Sequence, residues 1–208
     1  MTMNVKYRTI VADPPWDHSD GTGVKLKIGF GRTQRELGGP AITTGLPYGT
    51  MTLAEIAALP VSDLAERDSH LYLWTTNRYL RQVWEVAESW GFVGVCILTW
   101  CKERRGFLGG GDFPSDTEFC LFARRGHLAA ISRAPGRWYR WPRKFGPPVR
   151  EGEKRNTTHS SKPEAFLDLV EQVSPGPYLE LFARRQRLGW DTWGNEALEH
   201  VSLSKASA

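Results

Sequence analysis

Tyr7-Arg8-Thr9-Ile10-Val11-Ala12-Asp13-Pro14-Pro15-Trp16 is the stretch on which the reading of this chain turns. Tyr7–Ala12 is mostly β-branched or apolar and has the length of a buried strand. Pro14-Pro15 stops it, because each ring fixes φ near about −65° and removes a backbone N–H. Outward from there, Thr52 and Glu55 form a capping box for a short helix that ends at Pro60. His70–Thr75 is a second strand. Leu80, Val83, Trp84, Ala87 and Trp90 recur at helical spacing, with Gly91 as the stop. Val93–Trp100, Glu118–Ala123 and Leu128–Ser132 are read as further strands. Pro163 opens a helix with Phe166, Leu167, Val170 and Val173 on one face, and Pro175-Gly176-Pro177 closes it. Tyr178–Ala183 and Leu188–Trp193 complete the strands. Strands separated by helices imply parallel pairing through crossovers, hence an α/β sandwich. The Asp13–Trp16 turn then lies at the carboxyl edge of the sheet, where such folds bind ligands.

A chain of 208 residues is read as a single domain over 1–208. No stretch approaches the roughly 18 apolar residues of a membrane span. The first residues lack the apolar run of a signal peptide, so the protein is expected to be cytoplasmic. Cys96, Cys101 and Cys120 have neither Cys-x-x-Cys spacing nor a nearby histidine, so free thiols are expected and no metal site. The net charge of +4 is unevenly spread. Arg133, Arg137, Arg140, Arg143, Lys144 and Arg150 are interleaved with Trp138, Tyr139, Trp141 and Phe145. Cations attract phosphates and aromatic faces stack on bases. The loops at 17–45, 101–116 and 133–158 are therefore the expected nucleic-acid contacts, with Arg137, Trp138, Arg140, Arg143 and Lys144 as the clamp.

The turn carries a specific chemistry. A carboxylate beside proline-fixed carbonyls makes a site with only acceptors. Such a site suits a group with two N–H donors, which the exocyclic amine of adenine offers. Two acceptors holding its hydrogens favour a pyramidal nitrogen and free the lone pair for attack on an electrophile. Trp16 is expected to stack on the base. In a duplex the adenine must first leave the stack, at a cost of roughly a few kcal/mol.

Several separated segments now resemble one family. They are Asp13-Pro14-Pro15-Trp16, Leu46-Pro47-Tyr48-Gly49-Thr50-Met51, Leu73-Trp74, Trp90-Gly91-Phe92, Trp100-Cys101-Lys102, His159-Ser160-Ser161-Lys162-Pro163, Glu180-Leu181-Phe182-Ala183-Arg184, and Gly189-Trp190-Asp191 through Gly194-Asn195-Glu196. In this order, over nearly the whole chain, they resemble the adenine-N6 methyltransferases named for the mRNA adenosine methyltransferase subunit, in the compact branch with bacterial and phage members. The resemblance implies a Rossmann-like class I methyltransferase sandwich that is circularly permuted, with the catalytic motif near the N-terminus and the cofactor motif near the C-terminus. The absence of Gly-x-Gly-x-x-Gly after the first strand then does not count against cofactor binding.

The resemblance also implies roles. Asp13, Pro14, Pro15 and Trp16 would hold the target amine and base, with Tyr48 bordering the same pocket and Asp13 also reaching the cofactor. S-adenosylmethionine would be the methyl donor and S-adenosylhomocysteine the product. Lys162 would bind the donor's carboxylate, a cation beside a helix start being a fair seat for one. Arg184, Asn195 and Glu196 would contact the ribose, and Leu181 and Phe182 would line the cofactor cleft. Glu180 either faces that cleft or pairs with an arginine, and Lys102 and Glu118 are candidates for the target pocket. Trp74 and Trp100 are read as core. Gln186 and Arg187 stand where the eukaryotic relatives carry a different polar pair. The expected activity is adenine-N6 methylation of DNA by a monomer or homodimer. The alternatives are an RNA adenosine methyltransferase and a catalytically silent nucleic-acid-binding partner of the same fold.

Overall fold

The computed structural model describes residues 5–17, 49–102, 116–141 and 162–194. Seven strands form one sheet: β1 (Tyr7–Ala12), β2 (Ala65–Thr75), β3 (Val93–Lys102), β4 (Thr117–Arg125), β5 (Trp138–Trp141), β6 (Tyr178–Leu181) and β7 (Trp190–Trp193). Their order is β5-β3-β4-β2-β1-β6-β7. The helices are α1 (Leu53–Ala57), α2 (Val61–Leu64), α3 (Gln82–Ser89) and α4 (Glu164–Val173). The period-2 alternation of the strands feeds two apolar layers. Ile10, Ala12, Leu71, Leu73, Leu121 and Leu179 join Ile56, Val83, Val86 and Trp90 on the face covered by α1–α3. Val11, Tyr72, Trp74, Trp100 and Cys120 join Phe166, Leu167 and Val170 of α4 on the other. Because both faces are covered, the central strands read as unbroken apolar runs. The fold is a Rossmann-like α/β sandwich with the β1 turn first in the chain and the β6–β7 segment last.

The sheet departs from the sequence reading in three places. The alternation of strands and helices implies parallel pairing, but β4 runs antiparallel to both β2 and β3. No helical pattern separates Trp100 from Glu118, and only an antiparallel neighbour can do without a crossover. Leu128–Ser132 is not a strand. Its backbone instead closes over the end of α4, with the Ile131 N–H donating to the Val173 carbonyl at 2.8 Å and the Leu128 carbonyl 3.0 Å from His70 Nε2. Conversely, the basic loop contains a strand. Trp138–Trp141 pairs in parallel with Thr99–Lys102, and Tyr139 and Trp141 turn inward, stacked at 4.6 Å. The Thr52–Glu55 capping box and the stop at Gly91, whose φ is +80°, stand as read. Among the described residues no helix is long and apolar enough to cross a membrane.

Candidate active site

β1 leads through α1 and α2 to β2 on one side, and α4 delivers β6 to the other. The two connections cover opposite faces, so the crevice between the carboxyl ends of β1 and β6 is the topological switch point, the usual ligand seat of such sheets. Ala12 pairs with Leu73 of β2 and with Leu181 of β6. Asp13 therefore emerges between two parallel neighbours, its N–H directed at the Leu181 carbonyl at 3.5 Å. The following turn is stitched down. The Trp16 N–H donates to the Pro14 carbonyl at 2.8 Å, and the Met51 N–H donates to the Pro15 carbonyl at 2.9 Å. Both proline carbonyls thus already accept one hydrogen bond within the protein, so neither is a wholly free acceptor. Each keeps one lone pair for a further donor.

Lys162, just ahead of α4, bridges two carboxylates: its Nζ is 2.8 Å from Asp13 Oδ2 and 3.2 Å from Glu118 Oε2. Lys102 Nζ lies 2.5 Å from the other Glu118 oxygen. The result is an alternating row, Lys102–Glu118–Lys162–Asp13, drawn from β3, β4, the start of α4 and β1. Each lysine also lies over an indole, Lys162 at 5.2 Å from Trp74 and Lys102 at 5.5 Å from Trp100. Four charges largely withdrawn from water are tolerable only because they are paired. Burial pushes the Asp13 carboxyl above its ordinary value against the pull of Lys162. Burial alone would also raise Glu118, but Lys162 and Lys102 hold it below its ordinary value. Burial works against charge on Lys162, yet Asp13 and Glu118 keep it firmly protonated.

At the end of β6 the backbone is strained. Phe182 has φ of +63°, a left-handed conformation that costs a bulky residue on the order of 1–3 kcal/mol. It is held by the Ala183 N–H donating to the Trp193 carbonyl at 3.0 Å and by the Trp193 ring against its own. Gly194 completes the clamp: a Cβ there would lie 2.4 Å from the Ala183 carbonyl oxygen. Leu181 is fully buried, its side chain packed in the core layer under α1–α3. Arg184 is near enough to Asp13 to favour its ionised form. Glu180 lies on the α4 face, and its Oε2 is buried without a hydrogen-bond partner. Burial raises its carboxyl to about 7. The arginines next to it go to α4 instead: Arg185 to Glu164, and Arg187 to Glu171 and Asp168.

Trp16 differs most from expectation. It is only 4% exposed. Its indole N–H donates to the Trp74 carbonyl at 2.9 Å, and Tyr79 stacks on it at 5.1 Å. A ring so enclosed has no face left for a base. Trp74 and Trp100 are core as read, but they also floor the two lysines. Lys102 and Glu118, candidates for the target pocket, meet Lys162 beside Asp13, a contact that nothing in their spacing indicates. The clamp residues lie apart. Trp138 is 68% exposed, and Arg137 and Arg140 are exposed beside it. β5 is four strands from β1, about 19 Å at roughly 4.8 Å per strand. Tyr48, Arg143, Lys144, Asn195 and Glu196 lie outside the described residues.

Residues 7–196 match the model of the MT-A70 family. The type II methyltransferase M.MunI of a Mycoplasma species is 30% identical over 92% of this chain and 78% of its own length. The N(6)-adenosine-methyltransferase MT-A70-like protein of Drosophila melanogaster is 28% identical over 94% of this chain, but over only 28% of its own length. The mouse N(6)-adenine-specific methyltransferase METTL4 is 28% identical over 93% of this chain and 38% of its own length. The chain thus spans most of the first relative and a minor part of the other two. With the turn at the switch point of a Rossmann-like sheet and a family match across nearly every described element, the chain belongs to the MT-A70 family.

Proposed function

We propose that this chain, as one domain and as a monomer or homodimer in the cytoplasm, methylates the N6 amine of adenine in DNA with S-adenosylmethionine as donor. Adenine-N6 methyl transfer is the activity of the family it belongs to. The observation that carries the reading further is the half-buried Asp13 carboxylate at the carboxyl end of β1, locked to Lys162 at 2.8 Å. DNA is favoured because the chain spans 78% of the type II methyltransferase and only 28% of the N(6)-adenosine enzyme.

The residues suit the donor. Lys162 is a cation for its carboxylate. The unpartnered Glu180 oxygen is an acceptor for its ammonium group. The strained Phe182 turn follows Glu180 by two residues, and Arg184, Asn195 and Glu196 supply contacts for the ribose. When bound, S-adenosylmethionine supplies a methyl group made electrophilic by the sulfonium. The remaining steps belong to the protein. Asp13 and the spare lone pair of the Pro14 carbonyl accept the two amine hydrogens and turn the nitrogen lone pair toward the methyl carbon. After transfer N6 sheds one proton to Asp13, which burial has made more basic. Pro15 and Trp16 hold the turn rigid, with Tyr48 at the pocket's border. Arg137, Trp138 and Arg140 bind phosphates at the far end of the sheet, and Arg143, Lys144 and the loops at 17–45, 101–116 and 133–158 supply further nucleic-acid contacts. Preorganised acceptors of this kind supply most of the rate in such a reaction, about a hundred- to a thousandfold per group.

The test is transfer of a tritiated methyl group to matched single-stranded DNA, duplex DNA and RNA, followed by nucleoside analysis. Label in N6-methyladenine from DNA is the expected result. Label in RNA alone would move the substrate to RNA. Label in none of them would remove the activity from this chain.

A further inference from the structure

Where β2 ends, a 3₁₀ turn at Asn77–Tyr79 brings one side chain back over the β1 turn. The Tyr79 ring lies on Trp16 with centroids 5.1 Å apart and planes 23° from parallel. Its hydroxyl donates to the carbonyl of Asp17, the residue after Trp16. One side chain therefore holds both the ring of Trp16 and the backbone that follows it. The Arg78 guanidinium sits 6.0 Å from the Tyr79 ring centroid and favours its orientation electrostatically. Trp16 is in turn tied at its other end, by its indole N–H on Trp74. None of these contacts touches Asp13, yet they govern the group beside it. The peptide N–H of Trp16 is the donor on the Pro14 carbonyl, so a tilt of Trp16 swings that carbonyl.

We propose that Tyr79 is a positioning residue for methyl transfer: clamped on Trp16 and Asp17, it fixes the direction of the Pro14 carbonyl beside Asp13. The inference rests on the reading of that turn as the amine-binding site. Tyr79 touches neither base nor donor in this scheme. Its contribution is geometric, and misplacement of an acceptor by about 1 Å is enough to cost on the order of a hundredfold in rate.

The experiment compares wild type, Tyr79→Ala, Tyr79→Leu and Tyr79→Phe in single-turnover methylation of whichever nucleic acid the wild type modifies. Donor Kd is measured by calorimetry and Tm in parallel. Tyr79→Ala and Tyr79→Leu are expected to slow transfer by about ten- to a hundredfold at saturating substrates, with donor Kd within about twofold of wild type. Tyr79→Phe keeps the stack and should restore most of the rate. A merely structural role would lower Tm in all three and leave the rate of the folded fraction unchanged, which would overturn the proposal. Wild-type transfer rates in folded Tyr79→Leu would overturn it equally, while leaving the amine-binding reading intact. A wild type that methylates no nucleic acid would overturn that reading and Tyr79's role with it.

Discussion

The Asp13 crevice and the β5 edge belong to one sheet, and both combine cations with aromatic residues. They use these residues in opposite ways. In the crevice, Lys102 and Lys162 are nearly out of water and alternate with Glu118 and Asp13. Moving either cation would strand a carboxylate, a penalty on the order of 3–5 kcal/mol when a buried pair is broken. At the edge, Arg137 and Arg140 flank an exposed Trp138. There, charge interactions are worth about 1 kcal/mol or less. The same side chains give fixed geometry in one place and additive, forgiving attraction in the other. Only the first can orient a reacting amine.

The sharpest way to break that contrast is at Asp13. Asp13→Ala should reduce transfer by about a hundred- to a thousandfold while donor and DNA still bind. Asp13→Asn should lose most of it as well, since one acceptor oxygen becomes a donor. Single-turnover assays decide the matter, and near-normal turnover in Asp13→Ala would sink the acceptor mechanism. Next in size is Lys162→Ala. Donor affinity should fall by about 1.5–3 kcal/mol, roughly ten- to a hundredfold in Kd, with DNA affinity unaltered. Calorimetry that found the donor Kd unchanged would place the donor's carboxylate elsewhere.

Glu180 sharpens the comparison through pH. Its carboxyl is held up to about 7 by burial, opposed by Arg185 and Arg187 and reinforced by Asp13. The folded state therefore binds this proton more tightly than the unfolded chain does. Its contribution to stability is full below the ordinary value of 4.5 and is lost as pH rises through about 7. The donor's ammonium group favours the ionised form, so donor affinity should rise across the same interval. Glu180→Gln should flatten both profiles in thermal melts and titrations taken from pH 5 to about 8. An unchanged affinity profile in that variant would exclude Glu180 as the ammonium's partner. The smallest effect is expected at the edge. Arg137→Ala with Arg140→Ala should weaken DNA binding at every sequence alike and flatten its salt dependence by about 0.9 of slope per lost contact. Donor affinity should stay put. An identical salt slope in the double variant would leave β5 as plain surface.

The elements of the crevice were legible to different degrees. Tyr7–Ala12 and its proline stop could be read directly, because a β-branched run and fixed φ act locally. So could the helix at Pro163 and the capping box at Thr52. The β5 strand was hidden, because Arg137, Arg140 and the surrounding prolines and glycines read as loop, and only pairing with Thr99–Lys102 makes it a strand. The direction of β4 was implicit in the lack of a helix before it, a signal outweighed by the alternation elsewhere.

What short-range order decides is thus available along the chain: where a strand stops, which residue types line the stop, and the acceptor chemistry of Asp13-Pro14-Pro15. Which groups meet is another matter. Lys162 lies 149 positions from Asp13 in the chain, yet bonds to it at 2.8 Å. Glu118 joins them from β4. Trp16 could be recognised as an aromatic residue at the site, but whether its face was open or covered depended on Tyr79, a residue with no pattern of its own. Periodicity and turn chemistry act over a few residues, whereas a buried ion row or a stacked ring is set by the order of strands in the sheet, and that order is settled by packing both faces at once.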